Sequence, residues 1–327
     1  MTICTHPTAA AYCLQAAMAL VVTASLHGIA SAEEGGSGHY TPGSMASFID
    51  IVPAKETFVA RFNYLNYDGS FSKQLPFAGL VVAEAEAKSS AYGLTLVWRP
   101  PIEIGPGWSY AMSATIPYVT LEVSGNVQSG AGAATGPRSE RTTGLGDVVL
   151  IPLMLNYIFD PDFSTNFRVT AYAPTGSYEL GRLANTGKNF WTIEPTLALM
   201  YFGQQNGIEA SLFTGISFNR ENPDTQYKSG TSLHFDGTLA QHFPFAGGLT
   251  GVGLSGFYYE QISGDSGAGA TFGDFKSRTM GLGLAASYVA KLGGNDTVTE
   301  LKWMRESNTR NRLEGDYLWF KFLYKFY

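Results

Sequence analysis

The sequence has few charged residues and, beyond its first 32 residues, no long apolar run. Asp, Glu, Lys and Arg make up 15% of the chain, whereas soluble globular domains usually carry about 25%. The best apolar run in the rest of the chain, Val148 to Ile158, is interrupted by Pro152 and Asn156. It is far shorter than the roughly 20 residues that a membrane helix needs. These absences argue against an ordinary soluble domain and against a helical membrane protein.

Cysteine, histidine and clustered basic residues are also scarce. Both cysteines, Cys4 and Cys13, lie near the N-terminus, so the rest of the chain has no disulfide framework and no thiol chemistry. The histidines after residue 32 are His39, His234 and His242, and no His/Cys cluster suggests a transition-metal site. The net charge of −6 is mild, and no basic patch marks a nucleic-acid surface. We therefore expect no metal, no cofactor and no nucleic-acid partner.

Residues 1–32 have the features of a secretory signal peptide. They contain no Asp, Glu, Lys or Arg, and an apolar stretch runs roughly from Ala9 to Leu26. Ala30-Ser31-Ala32 provides a small-x-small cleavage site before Glu33. The alternative is a single helical anchor retained in the inner membrane. The Ala-rich stretch and the cleavage pattern favour secretion through the inner membrane.

Glycine (38 residues) and aromatic side chains (13%) are abundant, and from residue 56 onward hydrophobicity alternates along the chain. Segments of about 9–14 residues alternate at period two and are separated by clusters of Gly, Asn, Asp, Pro and Ser. Successive side chains of a strand face opposite sides of the sheet. In Ser164–Ala173, for example, Phe167 and Val169 share one face and Arg168 and Thr170 share the other. Weak alternation that recurs in many short segments is typical of a membrane β-barrel.

We predict an all-β fold, a transmembrane antiparallel β-barrel of about 12 strands over residues 56–327. An even number of strands is usual for bacterial single-chain barrels. The pattern allows about two strands more or fewer, because segments such as Pro76–Pro100 can hold one strand or two. A soluble β-sandwich is the alternative that the same alternation allows. The predicted strands begin near Glu56, Ser90, Trp108, Asp147, Ser164, Asn189, Gly207, Ser229, Gly248, Arg278, Asp296 and Asp316. The predicted long connections are Ser124–Thr143, Glu221–Lys228 and Ser263–Lys276.

The last predicted strand has the sharpest alternation. Its apolar parity holds Leu318, Phe320, Phe322, Tyr324 and Phe326, whereas Lys321 and Lys325 lie on the other parity. Bacterial outer-membrane barrels resemble one another in ending on an aromatic residue that continues such a series. Here the series ends at Phe326, one residue before the terminal Tyr327. The pattern favours recognition by the outer-membrane assembly machinery.

Short motifs that resemble enzyme signatures have simpler interpretations. Gly251–Gly256 matches G-x-G-x-x-G, but Phe257-Tyr258-Tyr259 continues a strand where a nucleotide-binding motif needs a helix. Ser232, His234 and Asp236 share one strand face, which keeps an outer-membrane hydrolase open as a hypothesis. Alternate positions on one strand are about 6–7 Å apart, so we expect these groups to be too far apart for direct hydrogen bonds. We predict no catalytic residues.

Polar side chains on the predicted inner face of the barrel are the candidates for lining a pore, since groups that line a pore set its selectivity. They are Arg61, Asn63, Arg168, Glu194, Glu209, His234, Asp236 and Lys302.

An ordered set of short motifs resembles the outer-membrane family associated with the meta-pathway of phenol degradation, which includes sphingosine-responsive (SphA-like) porins. The motifs are Gly36-Ser37-Gly38-His39-Tyr40-Thr41-Pro42-Gly43, Gly144-Leu145-Gly146-Asp147, Pro174-Thr175-Gly176-Ser177-Tyr178, Asn185-Thr186-Gly187-Lys188-Asn189-Phe190-Trp191 and Glu194-Pro195. The resemblance covers nearly all of the chain after the signal peptide. Most of the motifs are typical of tight turns, so they support a fold more than an activity.

The resemblance implies an outer-membrane channel or transporter for hydrophobic or aromatic compounds. In similar transporters the N-terminal segment folds into the lumen as a plug, and residues 33–55 lack strand alternation. By that resemblance Tyr40, Pro42 and Met45 are the plug candidates; the alternative for this segment is a disordered periplasmic tail.

The leading functional hypothesis is a passive channel for small hydrophobic solutes in the outer membrane of a Gram-negative bacterium. The expected partners are outer-membrane lipids, a small hydrophobic or aromatic solute and the assembly machinery. A structural or surface-interaction barrel with a closed lumen is the alternative, and an outer-membrane hydrolase is the second one.

Overall fold

The computed structural model describes residues 34–53, 55–128, 136–270 and 276–326. The predicted signal peptide at 1–32 and the terminal Tyr327 lie outside the described residues. No helix in the described part of the chain is both long enough and apolar enough to cross a membrane. Two single-turn 3-10 helices, Glu34–Gly36 and Phe48–Asp50, precede the first strand.

The described residues after position 56 form strands joined by turns and loops. The strands are β1 Thr57–Phe77, β2 Leu80–Arg99, β3 Trp108–Gln128, β4 Gly136–Leu145, β5 Val148–Ile158, β6 Phe163–Ala173, β7 Thr192–Phe202, β8 Ile208–Asn219, β9 Ser232–Phe245, β10 Gly248–Gln261, β11 Arg278–Leu292, β12 Asn295–Arg310 and β13 Glu314–Lys325.

The sheet is antiparallel and closes on itself. β1 pairs with both β2 and the last strand, β13. β4 and β5 follow one another along β3: β4 pairs with residues 118–127 of β3, and β5 pairs with residues 108–115. The two segments therefore share one position in the ring, which has 12 strand positions among the described residues. This confirms the prediction of an antiparallel barrel of about 12 strands.

Side chains alternate between the two sides of the wall. On β12, Leu301 and Trp303 are 48% and 44% exposed, whereas Lys302 and Met304 are fully buried. The same alternation leaves Leu, Ile, Phe and Trp on the outside of most strands and encloses charged side chains. A wall that is apolar outside and polar inside faces lipid on its outer surface. The ring is therefore a transmembrane barrel rather than a soluble sandwich.

The two ends of the barrel differ. At the end where β1 begins and β13 finishes, the connections are short, such as 159–162, 246–247 and 293–294. The opposite end carries the long connections 174–191, 220–231 and 262–277. Outer-membrane barrels have short periplasmic turns and longer extracellular loops. We call these ends the inner and the outer end.

The first four strands project beyond the outer end of the barrel. β1 and β3 have 21 residues each, compared with 11 for β6. The prediction that the second strand begins near Ser90 was wrong, because β2 begins at Leu80. The prediction of a connection at Ser124–Thr143 was also wrong, since β3 and β4 occupy most of it. Its Gly/Ala/Ser-rich composition is typical of loops, but pairing with neighbouring strands overrides that local preference.

The projecting strands and two outer connections pack around an apolar cluster at the outer end of the barrel. It contains Leu75, Phe77, Val82, Ala85, Ala87, Val123, Val127, Leu183, Ala184 and Leu313. Burial of a Leu, Val or Phe side chain stabilises by about 1.5–3 kcal/mol, so the projections form an ordered layer above the lumen.

Candidate functional site

Residues 34–53, here called the N-terminal segment, run through the lumen from the outer end to the inner end. At the outer end the Glu34 carboxylate accepts hydrogen bonds from Tyr178 (3.1 Å) and Asn222 (2.9 Å), both in outer connections. At the inner end the Pro53 carbonyl accepts a hydrogen bond from Arg99 at 2.6 Å. The segment then continues directly into β1.

In the middle of the lumen Tyr40 is held by ring stacking and by hydrogen bonds. Its ring lies 3.8 Å from that of His234 and 5.6 Å from that of Tyr259. Its hydroxyl donates to both carboxylate oxygens of Asp236, at 2.8 and 2.7 Å. The Gly43 N–H donates to the same carboxylate at 2.8 Å. Asp236 thus fixes two successive parts of the segment to β9.

A buried ion cluster joins the segment to β1, β12 and β13. Asp50 of the segment lies 2.7 Å from Arg61 and 2.8 Å from Lys321. Lys302 lies 3.0 Å from Glu300 and donates to the Gly43 carbonyl at 2.9 Å. Buried charges are costly unless they are paired. Each cation here meets a carboxylate, and the pairs tie the segment to the wall.

Further contacts involve β6, β8 and β13. Arg168 donates to the Asp50 carbonyl at 2.9 Å, and its guanidinium lies 3.1 Å from the sulfur of Met45. The Phe48 N–H donates to Glu209 at 2.9 Å. The Pro42 carbonyl accepts a hydrogen bond from the Trp319 indole at 2.8 Å.

The eight predicted pore-lining residues therefore differ in which part of the protein they contact. Six meet the N-terminal segment: Arg61, Arg168, Glu209, His234, Asp236 and Lys302. Asn63 instead donates to Thr95 on β2 at 2.9 Å, and Glu194 accepts a hydrogen bond from Ser217 at 2.5 Å. The plug candidates Tyr40, Pro42 and Met45 all contact the inner face of the wall.

The expectation that His234 and Asp236 are too far apart for a direct hydrogen bond was wrong. His234 Nδ1 lies 2.8 Å from Asp236 Oδ2, because the two side chains lean toward each other across the strand spacing. His234 Nε2 lies 3.4 Å from the Glu194 carboxylate. A serine hydrolase places a hydroxyl at one ring nitrogen, whereas both nitrogens here face carboxylates.

A cavity of about 390 Å³ lies between the outer half of the N-terminal segment and the strands β1, β2, β3, β5, β6 and β13. Its wall is mostly apolar and includes Leu65, Ala87, Ala91, Pro117, Val119, Leu121, Val123, Val149 and Ile151. Polar groups border it toward the inner end, namely Arg61, Asn63, Thr95 and Thr115. Of the predicted pore-lining residues, the cavity touches Arg61 and Asn63. The lumen is thus divided into a charged half that binds the segment and an apolar half that encloses the cavity.

Four of the short motifs meet at Asp147, which lies between β4 and β5 and ends one of them. Its carboxylate accepts hydrogen bonds from the backbone N–H of Gly176 (2.8 Å) and of Lys188 (2.7 Å). His39 of the N-terminal segment lies 3.0 Å from the same carboxylate. A Cβ atom added to Gly187 would lie 2.6 Å from the backbone of Gly176. The glycines of these motifs therefore allow two parts of the connection 174–191 to touch, and Asp147 holds both parts through their backbone N–H groups.

Sequence reasoning missed five residues that matter here. Glu300 and Lys321 carry a detectable signal, because they share the inner parity of β12 and β13. Asp147 closes a recognisable motif, but its partners lie 29 to 108 positions away in the chain. His39 and Asp50 lie in a segment without periodicity, so the sequence does not indicate which way they face.

Among the described residues, no group of three or more His, Cys, Asp or Glu side chains is arranged to hold a metal ion. Outside the membrane-spanning strands, burial raises the pKa of the Glu34 carboxyl, against the lowering effect of its hydrogen bonds from Asn222, Tyr178 and Thr225. Burial and the nearby Glu34 carboxylate raise the pKa of Tyr178 well above its usual value.

The apolar exterior, the polar interior and the asymmetric connections define an outer-membrane β-barrel. The chain belongs to the family described as "Putative MetA-pathway of phenol degradation", whose model matches residues 74–322. This confirms the resemblance found in the sequence. No curated protein matches the chain.

A solved structure has the same fold. The COG4313 outer membrane channel from Pseudomonas putida F1 is similar with a TM-score of 0.62 and 15% identity, covering 88% of this chain and 100% of that chain. The β domain of the Bordetella autotransporter BrkA aligns with a TM-score of 0.45 and 11% identity, over 83% of this chain and 100% of that one. At 15% identity the likeness to the channel structure concerns the fold alone.

Proposed function

We propose that the protein is a passive outer-membrane channel for small hydrophobic or aromatic compounds. The observation that carries the proposal is the apolar wall of the cavity, formed by residues such as Leu65, Ala91 and Val119. The interior of a membrane barrel is usually polar, so an apolar strip inside is suited to an apolar solute. Pockets for small molecules are likewise mostly apolar with a few polar groups. The family description, which refers to phenol degradation, agrees with aromatic solutes.

The N-terminal segment is proposed to be a plug that narrows this path. Tyr40, Pro42 and Met45 border the cavity and also contact the wall. A solute that uses the apolar half of the lumen must therefore pass beside these three side chains. Residues 33–55 would form the plug, and residues 56–327 would form the barrel.

We also propose how residues 1–32 and strand β13 act in export to the outer membrane. Residues 1–32 would direct secretion as a signal peptide and then be removed. The assembly machinery would recognise β13, whose outward face presents alternating aromatic side chains such as Phe320 and Phe322.

Filling the cavity tests the proposed function. Ala91→Trp places a large side chain in the cavity, whereas Ala60→Trp places the same side chain on the lipid-facing parity of β1. We expect Ala91→Trp to reduce the initial rate of radiolabelled naphthalene uptake severalfold in cells that lack the wild-type protein. Ala60→Trp should retain wild-type uptake.

Folding of both variants is checked by the gel shift of the unheated barrel. Uptake by folded Ala91→Trp at the wild-type rate would contradict the channel. Uptake in cells without the protein at the rate of complemented cells would favour a structural barrel with a closed lumen.

A further inference from the structure

We propose that the cavity selects amphipathic carboxylates, with the apolar body against the wall and the carboxylate at Arg61. This inference rests on the proposed channel function and names its solute class.

The cavity has an apolar part and a polar border. The apolar side chains of β3 run from Pro117 to Val123, and from Thr115 to Val123 the strand covers about 26 Å at 3.3 Å per residue. At its inner end Thr95 lies opposite both Arg61 and Thr115 in the strand register. Hydrogen bonds join Asn63 to Thr95 (2.9 Å) and Thr95 to Thr115 (2.8 Å). These groups form a polar strip across β1, β2 and β3 where the apolar wall ends.

Arg61 is the cation of this strip, and its side chain keeps 15% of its surface exposed where it borders the cavity. One terminal nitrogen donates to Asp50 at 2.7 Å. A guanidinium carries five N–H donors and can bind a carboxylate through two parallel hydrogen bonds. A partly exposed guanidinium at the border of a cavity therefore suits an anionic oxygen.

The charges around Arg61 favour an anion over a neutral group. Asp50 is shared by Arg61 and Lys321, and Glu300 lies 3.0 Å from Lys302 and 3.4 Å from Lys321. These five side chains comprise three cations and two carboxylates, so the cluster has one positive charge in excess. Of these five, Arg61 is the one that borders the cavity. A bound carboxylate would neutralise the excess charge where desolvation makes it costly.

The outer end of the cavity does not oppose an anion. Its basic side chains Arg182, Lys188 and Arg312 outnumber the carboxylates of Glu34 and Asp147. Both of those carboxylates already accept several hydrogen bonds from the protein.

Two ligands with the same skeleton separate this inference from the channel function. Cinnamate carries a carboxylate and cinnamyl alcohol does not. We would titrate each into the detergent-solubilised full chain and measure the heat of binding. The wild-type protein is expected to bind cinnamate at least about tenfold more tightly than the alcohol, in line with a charge-assisted hydrogen bond.

Arg61→Gln should remove most of that preference by weakening the binding of cinnamate. Arg305→Gln removes a guanidinium that pairs with Asp316 on the exposed surface, and it should keep the preference. Arg61→Lys retains the charge and should keep part of it. Equal affinities for the two ligands in the wild-type protein would overturn the inference without the use of any variant.

The two proposals fail in different ways. If both ligands bind equally and Ala91→Trp still blocks naphthalene uptake, the channel stands and the selection of carboxylates is refuted. If neither ligand binds and Ala91→Trp has no effect on uptake, both proposals fail.

Discussion

His39 Nε2 lies 3.0 Å from Oδ2 of Asp147, so the N-terminal segment is bound to the point where β4 gives way to β5. The same carboxylate accepts two backbone hydrogen bonds from the connection between β6 and β7. One side chain therefore holds together the segment, the wall and an outer connection.

Replacement of this carboxylate by an amide should loosen all three elements. In Asp147→Asn the new NH₂ group cannot accept the hydrogen bond that Lys188 or Gly176 donates. Hydrogen bonds to charged groups contribute about 1.5–3 kcal/mol each, so we expect a loss of that size in the free energy of unfolding. Thermal unfolding followed by the gel shift measures it. Asp68→Asn is the control, because Asp68 is exposed and its ion pair with Lys88 is long at 3.8 Å and exposed to solvent. Equal melting temperatures of the two variants would refute the role of Asp147.

The contact between two glycines gives a second prediction. A Cβ on Gly187 would lie 2.6 Å from the Gly176 backbone, too close for any rearrangement of a side chain to relieve. Gly187→Ala should therefore destabilise the barrel by about 1–3 kcal/mol, the usual cost of overpacking. Gly136→Ala adds the same methyl group where no atom of the described residues lies within 4 Å, and it should melt like the wild type. Faster proteolysis in the connection 174–191 would accompany the change at Gly187.

The attachment of the segment at the outer end should depend on pH. The folded-state pKa of Glu34 is raised by burial, so the folded state favours its protonated form. The protonated Glu34 therefore stabilises the folded state. This contribution is complete below the ordinary carboxyl pKa of 4.5 and is lost as pH rises through the raised pKa. A thiol introduced by Ser37→Cys should react faster with a polar maleimide as pH increases, beyond the intrinsic increase for a free thiol. Glu34→Gln should remove this additional increase in the labelling rate. An additional increase at low pH instead of high pH would contradict the expected direction.

Tyr40 provides a test of the proposed plug. Tyr40→Ala removes a ring that stacks on His234 and a hydroxyl that donates twice to Asp236. We expect the single-channel conductance in planar bilayers to rise severalfold, because the middle of the lumen widens. Tyr64→Ala removes a tyrosine from the lipid-facing parity of β1 and should leave conductance unchanged. Wild-type conductance in folded Tyr40→Ala would exclude Tyr40 as a constriction.

The sequence predicts the strands of the barrel wall far better than it predicts the side-chain contacts inside the lumen. Alternation is a local property, so Lys321 and Phe322 can be assigned to opposite faces from the chain alone. The length of β1 to β4 was harder to predict, because a strand that continues beyond the membrane loses the apolar half of its alternation. Pairing between long neighbours maintains these strands where composition favours a loop.

The interior depends on contacts between distant parts of the chain. The Tyr40 hydroxyl meets Asp236 across 196 positions, and Lys321 meets Asp50 across 271. No local pattern encodes such pairs. The family resemblance suggested that residues 33–55 enter the lumen, but the partners of those residues become apparent only in three dimensions.

The pairing of β1 with β13 has a topological consequence. The N-terminal segment is covalently continuous with β1, one of the two strands that meet when the ring closes. A ring that closes around the segment has its luminal charges paired from the start. A ring that closes first leaves the segment to enter through the inner end of a finished barrel, past its own charged partners. Closure around the segment therefore avoids an empty barrel with unpaired charges.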